Sequence, residues 1–204
     1  MRTIKNMSSI FYQRIKSWPF GRGFMMGVFL LVTSGCATLL PWTQLKGQEY
    51  KDGPRGFKAI VPAGWMRFNQ AKYFIMTNDG TILDQIVVER RKVNTKLEFT
   101  KKEFAAEMTP QDLAEIEIDN LKADGRVGKV MIIQNKPETI ADQSGFRMEY
   151  DYVITEGGLK IHGIHYGFLY DRWVYRIHYE AADQHYFRKY LKDFEHFIDS
   201  FQLL

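Results

Sequence analysis

The sequence contains a single cysteine, Cys36, among 204 residues. One cysteine excludes an intramolecular disulfide and any metal site built from two or more thiolates. The residues from Cys36 to the C-terminus amount to one domain, so we expect a hydrophobic core to stabilise it without cross-links.

Motifs of common enzyme classes are also missing. There is no Gly-x-Ser-x-Gly turn, no His-Glu-x-x-His helix and, beyond the first forty residues, no phosphate-binding loop. His162 and His165 have a metal-like spacing, but on a strand residues three apart point to opposite faces. We therefore expect a protein without enzymatic activity and without a cofactor.

The first 35 residues lack acidic side chains and lack an apolar run long enough to span a bilayer. The run from Phe24 to Val32 is short, and the small residues Thr33, Ser34 and Gly35 follow it. This pattern predicts an export signal over residues 1–35. The segment has five basic residues: Arg2, Lys5, Arg14, Lys16 and Arg22.

The stretch Leu31-Val-Thr-Ser-Gly-Cys36 resembles the lipobox of bacterial lipoproteins, with Thr33 where leucine is commonest. The resemblance implies cleavage before Cys36 and lipidation of that cysteine. We expect a chain anchored by lipid in the bacterial envelope and facing the periplasm. Ala37 is not the aspartate that favours inner-membrane retention in enteric bacteria, so the outer membrane is favoured. The alternative is an ordinary signal anchor with a buried cysteine.

The net charge of +4 belongs to the predicted signal. Without residues 1–35 the chain has 23 basic and 24 acidic residues, a net charge of −1. A near-neutral domain has no general attraction to nucleic acid, so we expect no nucleic-acid partner.

Residues 36–48 are predicted to be a tether after the lipidated cysteine, and residues 49–204 the folded domain. Trp42 in this tether suits either a membrane interface or the edge of the domain. Residues 56–65 predict a strand that stops at Pro62, and Asp79-Gly80 predicts a hairpin between residues 72–78 and 81–92.

Two helices are predicted in the middle of the chain. Thr100 with Glu103, and Thr109 with Asp112, have the spacing of helix N-terminal caps, and the second helix should end near Asp124. A strand over residues 127–134 follows, then an irregular connection that begins at Lys136-Pro137 and leaves room for a further short strand near residues 138–140.

A third helix, capped by Asp183, is predicted near the C-terminus. Its apolar residues form one stripe that should pack on an aromatic sheet face. The stripe consists of Phe187, Tyr190, Leu191, Phe194, Ile198 and Phe201.

Residues 145–181 alternate with period two and predict a three-stranded antiparallel meander. A two-residue loop at Asp171-Arg172 would place His165 opposite His178. A three-residue loop at 156–158 would place Phe146, Met148 and Tyr150 on the face of Ile164 and Tyr166.

These two registers put Glu149, His165 and His178 in one lateral row on the other face of the meander. Two imidazoles and a carboxylate predict a weak divalent-metal or pH-responsive site. The alternative is a solvated polar face on which the carboxylates pair with Arg147 and Arg176.

Gly56-Phe57 leading into Val61-Pro62-x-Gly64-Trp65, together with the closing aromatic strand, helix and Ile198-Asp-Ser-Phe201, resembles the PsbP-like proteins. These share a fold with the PsbP subunit of photosystem II and the Ran-binding Mog protein. The resemblance implies an α+β fold, an antiparallel sheet flanked by helices in an αβα sandwich. It also implies a non-catalytic module that binds a partner.

Two functions remain open from the sequence. The first is a binding or scaffold module that holds another envelope protein. The second is a carrier or sensor for an apolar ligand between the sheet and the terminal helix, motivated by eleven tyrosines and fifteen phenylalanines.

Overall fold

The structure, a computed structural model, describes residues 41–204. The predicted signal 1–35 and Cys36 lie outside the described residues. Within them the chain forms eleven strands and two α-helices: β1 (Trp42–Lys46), β2 (Glu49–Asp52), β3 (Phe57–Ile60), β4 (Ala63–Phe68), β5 (Phe74–Thr77), β6 (Asp84–Lys92), α1 (Pro110–Lys122), β7 (Val127–Ile140), β8 (Gln143–Ile154), β9 (Lys160–Tyr170), β10 (Trp173–Ala182), α2 (Asp183–Asp199) and β11 (Gln202–Leu203).

Eight strands form one antiparallel sheet in the order β1-β4-β5-β6-β10-β9-β8-β7, and β11-β3-β2 form a small second sheet. Helix α1 packs on β7, β8 and β9, whereas α2 packs on β10, β9, β6 and β3. The two helices bury separate apolar clusters on opposite faces of the large sheet. The predicted α+β fold with helices flanking an antiparallel sheet is confirmed.

Helix α2 covers the face of the sheet that carries Ile164, Phe168, Tyr175, Ile177 and Tyr179. The predicted apolar stripe lies in this core, and Phe197 joins it. Each large side chain buried there stabilises the fold by about 2 kcal/mol. The predicted cap is wrong in position, because Ala182 is the N-cap residue and makes no side-chain cap hydrogen bond.

Helix α1 begins as predicted. Thr109 accepts the N–H of Asp112, the Asp112 carboxylate accepts the N–H of Thr109, and Pro110 occupies the first turn. The helix predicted from Thr100 is wrong. Lys101 has a φ of 59°, and the N–H of Leu97 donates to the carbonyl of Lys102, which closes a tight turn instead. Tertiary packing decides this, because the turn buries Phe104 completely.

Several predicted boundaries are corrected at the edges of the sheet. Residues 42–46, predicted within the tether, form edge strand β1, and the Trp42 ring lies 4.9 Å from that of Phe68. Strand β7 continues through Pro137, which an edge strand tolerates because proline has no N–H to donate and the outer side of an edge strand has no neighbouring strand that would accept one.

The predicted strand over residues 56–65 is two strands, β3 and β4, in different sheets. The predicted hairpin forms between β5 and β6, but with a longer loop. Asp84, the first residue of β6, closes that loop, because its carboxylate accepts the N–H groups of Asn78 and Asp79.

The meander consists of β8, β9 and β10, and one of its two predicted registers is confirmed. His165 pairs with His178 across the Asp171-Arg172 turn. The other register is wrong by one residue: Val153 pairs with Lys160, so four residues, Thr155–Gly158, connect Ile154 to Leu159. Side chains of β8 therefore point to the faces opposite to those predicted.

Candidate functional site

The face of the sheet beneath α1 carries three lateral rows of side chains contributed by β6, β10, β9 and β8. The first row is Glu89, Arg176, Gly167 and Phe146; the second is Val87, His178, His165 and Met148; the third is Gln85, Glu180, Gly163 and Tyr150. Polar groups from strands far apart in sequence thus meet under one helix.

The two glycines of β9 make room for rings from β8. A Cβ at Gly163 would lie 2.6 Å from Cζ of Tyr150, and one at Gly167 would lie 2.3 Å from Cε1 of Phe146. Because Gly163 has no side chain, Tyr150 reaches across β9 and its hydroxyl donates to Glu180 Oε1 at 2.8 Å. Glu180 Oε2 also accepts the side-chain amide of Gln85 at 3.0 Å.

Arg176 joins the sheet to α1 through a buried ion-pair cluster. Its Nε and Nη2 donate to the two oxygens of Glu117 at 2.5 and 2.7 Å, and its Nη1 donates to Glu89. Glu89 also accepts Nη2 of Arg91 at 2.8 Å. Glu117 is only 3% exposed, so α1 buries a carboxylate that a guanidinium satisfies.

Arg176 and Glu89 of this cluster keep their charges at neutral pH. Burial alone would lower the pKa of the Arg176 guanidinium, but Glu117 and Glu89 outweigh it and hold that pKa above its usual value. Burial likewise raises the pKa of Glu89, yet Arg176 and Arg91 bring it below its usual value.

His165 and His178 lie next to this cluster, with ring centroids 5.4 Å apart and ring planes at 89°. Burial lowers the pKa of both imidazoles, for His165 well below its usual value. Both rings are therefore neutral at pH 7. Nε2 of His165 is buried and has no hydrogen-bond partner among the described residues.

The predicted row of Glu149, His165 and His178 is not formed. Glu149 pairs with Ile164, whereas His165 pairs with Met148, because the β8 register differs by one residue. No group of three or more possible metal-ligating side chains is found among residues 41–204. The solvated-face alternative is corrected as well, since α1 covers this face and His165 is 4% exposed.

Glu149 belongs to a separate cluster on the α2 face. His162 lies between two carboxylates, with Nδ1 2.5 Å from Asp151 Oδ1 and Nε2 3.1 Å from Glu149 Oε1. Glu149 also accepts Nη2 of Arg147 at 2.9 Å. The His162 ring centroid lies 4.0 Å from that of Phe187, so this histidine is satisfied and mostly buried.

A cavity of about 470 Å³ lies between α1 and these rows. Glu117, Asn120 and Leu121 of α1 cover it, and the sheet contributes Tyr150, His165, His178 and Glu180. Arg126 also lines it and its side chain is 77% exposed, which places the mouth of the cavity at the C-terminal end of α1.

A wider cleft of about 790 Å³ lies at the C-terminal end of α2, against the β7–β8 turn. Tyr166, Tyr170 and Ile198 line it together with Asp142 and Asp199. Towards the N-terminal end of α2, aromatic rings fill the space between the helix and the sheet. The ring centroid of Tyr179 lies 5.2 Å from those of both Phe187 and Phe194.

Neither helix in the described part of the chain has the length and apolar composition needed to cross a membrane.

Comparison with known proteins identifies the fold from structure alone, since no family model and no curated protein sequence matches the chain. The cyanobacterial PsbP protein CyanoP of Synechocystis sp. PCC 6803 superimposes with a TM-score of 0.53 at 14% identity, over 85% of this chain and 99% of that one. The domain has the PsbP/Mog1-like fold.

Two further proteins share this fold. The Ran-binding protein Mog1p of Saccharomyces cerevisiae matches with a TM-score of 0.52 at 10% identity, over 79% of this chain and 96% of its own. LpqN of Mycobacterium tuberculosis, a protein involved in cell envelope biogenesis, matches with a TM-score of 0.52 at 10% identity, over 79% and 91%. The PsbP-like fold that the sequence predicts is thus confirmed.

Proposed function

We propose that this PsbP/Mog1-like domain is a non-enzymatic module that binds another protein of the bacterial envelope, to which Cys36 anchors it by lipid. The observation that carries the binding role is the exposed edge strand β7. It is fourteen residues long and forms one end of the eight-stranded sheet. An open edge presents N–H and C=O groups to which an extended partner segment can add as a further strand.

Strand β7 combines apolar exposure with features that limit self-association. Met131 is 56% exposed and Ile133, two residues further along the strand, is 48% exposed. The pairing of β7 with β8 is irregular between Gly128 and Met131 and again between Ile132 and Gln134. Such irregularities, with exposed lysines and Pro137, discourage one edge from pairing with another copy of itself.

The outer edge of β7 around Met131 and Ile133, here called the docking edge, is tested by site-specific photocrosslinking in the native host. A photoreactive phenylalanine analogue at position 131 or 133 is expected to give one discrete adduct with an envelope protein, because both side chains project from the docking edge. The matched control is position 82, since Ile82 is also apolar and is 70% exposed but belongs to the β5–β6 loop. The same adduct from position 82, or no adduct from 131 and 133, would contradict the proposal.

The alternative role as a carrier of an apolar ligand fits the α2 face poorly. Stacked rings fill the space between the middle of α2 and the sheet, and acidic residues, Asp142 and Asp199, line the cleft at the C-terminal end of α2 together with its aromatic rings. The cavity beneath α1 lies on the other face of the sheet, and binding of a partner at the docking edge does not depend on it.

Anchoring through Cys36 and a location at the outer membrane are parts of the same proposal. The anchor is supported by the basic segment, the short apolar run and the lipobox-like stretch before Cys36, and the outer membrane is favoured because Ala37 is not aspartate. Attachment by the three acyl chains of a lipoprotein is effectively permanent, because each buried CH₂ contributes about 0.8 kcal/mol.

A further inference from the structure

The cavity beneath α1 has features that neither the fold nor the docking edge requires. Its volume of about 470 Å³ is within the usual range of small-molecule sites. Ionisable side chains from α1, β8, β9 and β10 line it, although an apolar filling would serve stability better. These groups together define which ligand the cavity favours.

The charges that line the cavity do not cancel. Arg176 is paired with Glu117, and Arg126 contacts both oxygens of Asp124 at 2.7 to 3.2 Å. Glu180 is different, because the donors that reach it within residues 41–204 are neutral: the hydroxyls of Tyr150 and Tyr152 and the side-chain amide of Gln85. With both histidines neutral, the cavity holds one carboxylate without a cationic partner. It therefore attracts a cation and repels an anion.

A second observation points to a missing ligand group. His165 lines the cavity, and its buried Nε2 lacks a hydrogen-bond partner among the described residues. Buried polar atoms without partners are uncommon in folded proteins, because leaving one unsatisfied is unfavourable. His178, also in the lining, offers a neutral imidazole beside it.

Aromatic rings supply the rest of the lining. Tyr150 and Tyr152 stack with centroids 6.1 Å apart and planes at 13°. Phe99 lies at the mouth, where the Arg126 guanidinium is 5.5 Å above its ring. Such faces attract both a flat apolar body and a positive charge.

We propose that the cavity beneath α1 binds a small organic amine with an aromatic or other apolar body. The protonated nitrogen donates to Glu180, and the apolar body packs on Tyr152 and Phe99. The site is independent of the docking edge on β7, so either proposal stands if the other fails.

Calorimetric titration tests the site with three probes of one shape and different charge. The full chain in detergent micelles is titrated with tryptamine, with neutral indole-3-ethanol and with indole-3-propionate, and the heats of protein-free micelles are subtracted. Tryptamine is expected to bind at least about tenfold more tightly than the alcohol, and the carboxylate is expected not to bind. Equal affinities for the amine and the alcohol, or no binding of the amine, would overturn the proposal.

Two variants locate the binding. Glu180→Gln is expected to weaken tryptamine binding about tenfold and leave the alcohol unchanged, whereas Glu195→Gln on the exposed side of α2 changes neither. Leu121→Trp is expected to fill the cavity and abolish binding of both probes. Near-ultraviolet circular dichroism checks folding, and if Glu180→Gln does not fold, the wild-type probe series and Leu121→Trp decide. Tryptamine binding that persists in folded Leu121→Trp would place the ligand elsewhere and refute the site.

Discussion

Replacing Arg176 with methionine is expected to lower the free energy of unfolding by about 3 to 5 kcal/mol at pH 7. The guanidinium satisfies Glu117 and Glu89 at once, and Glu117 is almost fully buried. Without Arg176 the Glu117 carboxylate remains buried without its partner. Urea denaturation of the wild type and the variant measures the difference.

Two further variants separate the ion pair from general effects of substitution. Arg188→Met, on the exposed side of α2, is expected to change stability by less than about 0.5 kcal/mol. The double variant Arg176→Met, Glu117→Leu is expected to regain much of the loss, because no unpaired carboxylate then remains on α1. A loss below about 1 kcal/mol for Arg176→Met would show that the cluster is solvated.

The domain is expected to lose stability through His165 as the pH falls from 7 to 5, by up to about 2 kcal/mol, the limit that the imidazole pKa of about 6.5 in the unfolded chain sets. Burial, followed by the neighbouring His178 and Arg176, lowers the pKa of His165 in the folded state well below its usual value. In the unfolded chain the imidazole titrates near pH 6.5, so the unfolded state binds the proton first. Stability from His165 is therefore complete above about pH 6.5 and declines as the pH falls below it.

Urea denaturation at pH 7 and pH 5 checks this dependence. His165→Met removes the titrating ring and is expected to reduce the loss between the two pH values, by up to about 2 kcal/mol. His196→Gln serves as the control, because His196 is exposed on α2 and its replacement should leave the pH dependence unchanged. An unchanged pH dependence in His165→Met would mean that the imidazole is protonated in the folded state.

Local signals in the sequence predicted the parts of the fold that local chemistry decides. The cap at Thr109 and Pro110 located the start of α1, and the two-residue turn at Asp171 fixed the pairing of His165 with His178. The stripe on α2 predicted its aromatic partner because a single apolar face has one way to be buried.

The β8–β9 register could not be obtained by the same reasoning. Both faces of the sheet are covered by helices, so the aromatic residues of β8 suit either face and their alternation does not choose between them. The informative signal was the pair of glycines in β9. The rings of Tyr150 and Phe146 occupy the space that side chains at Gly163 and Gly167 would take. These two rings must therefore lie on the same face of the sheet as the two glycine positions.

The candidate site was hidden for a different reason. Glu117 and Arg176 are 59 residues apart, and no spacing or motif links a helix carboxylate to a strand guanidinium. The sequence indicated that His165 and His178 are adjacent, but their burial followed only from the position of α1 over this face. The false helix at Thr100 has the same cause, because the long-range burial of Phe104 overrides a local cap.

The central claim is that lipid on Cys36 anchors this binding module in the bacterial envelope, and mass spectrometry of the native protein tests that anchoring most directly. The protein is isolated from the membrane fraction of its host and its N-terminal peptide is sequenced. The expected result is a chain that begins at Cys36, with three acyl chains on that residue. A chain that retains residues before Cys36, with an unmodified thiol, would contradict the claim.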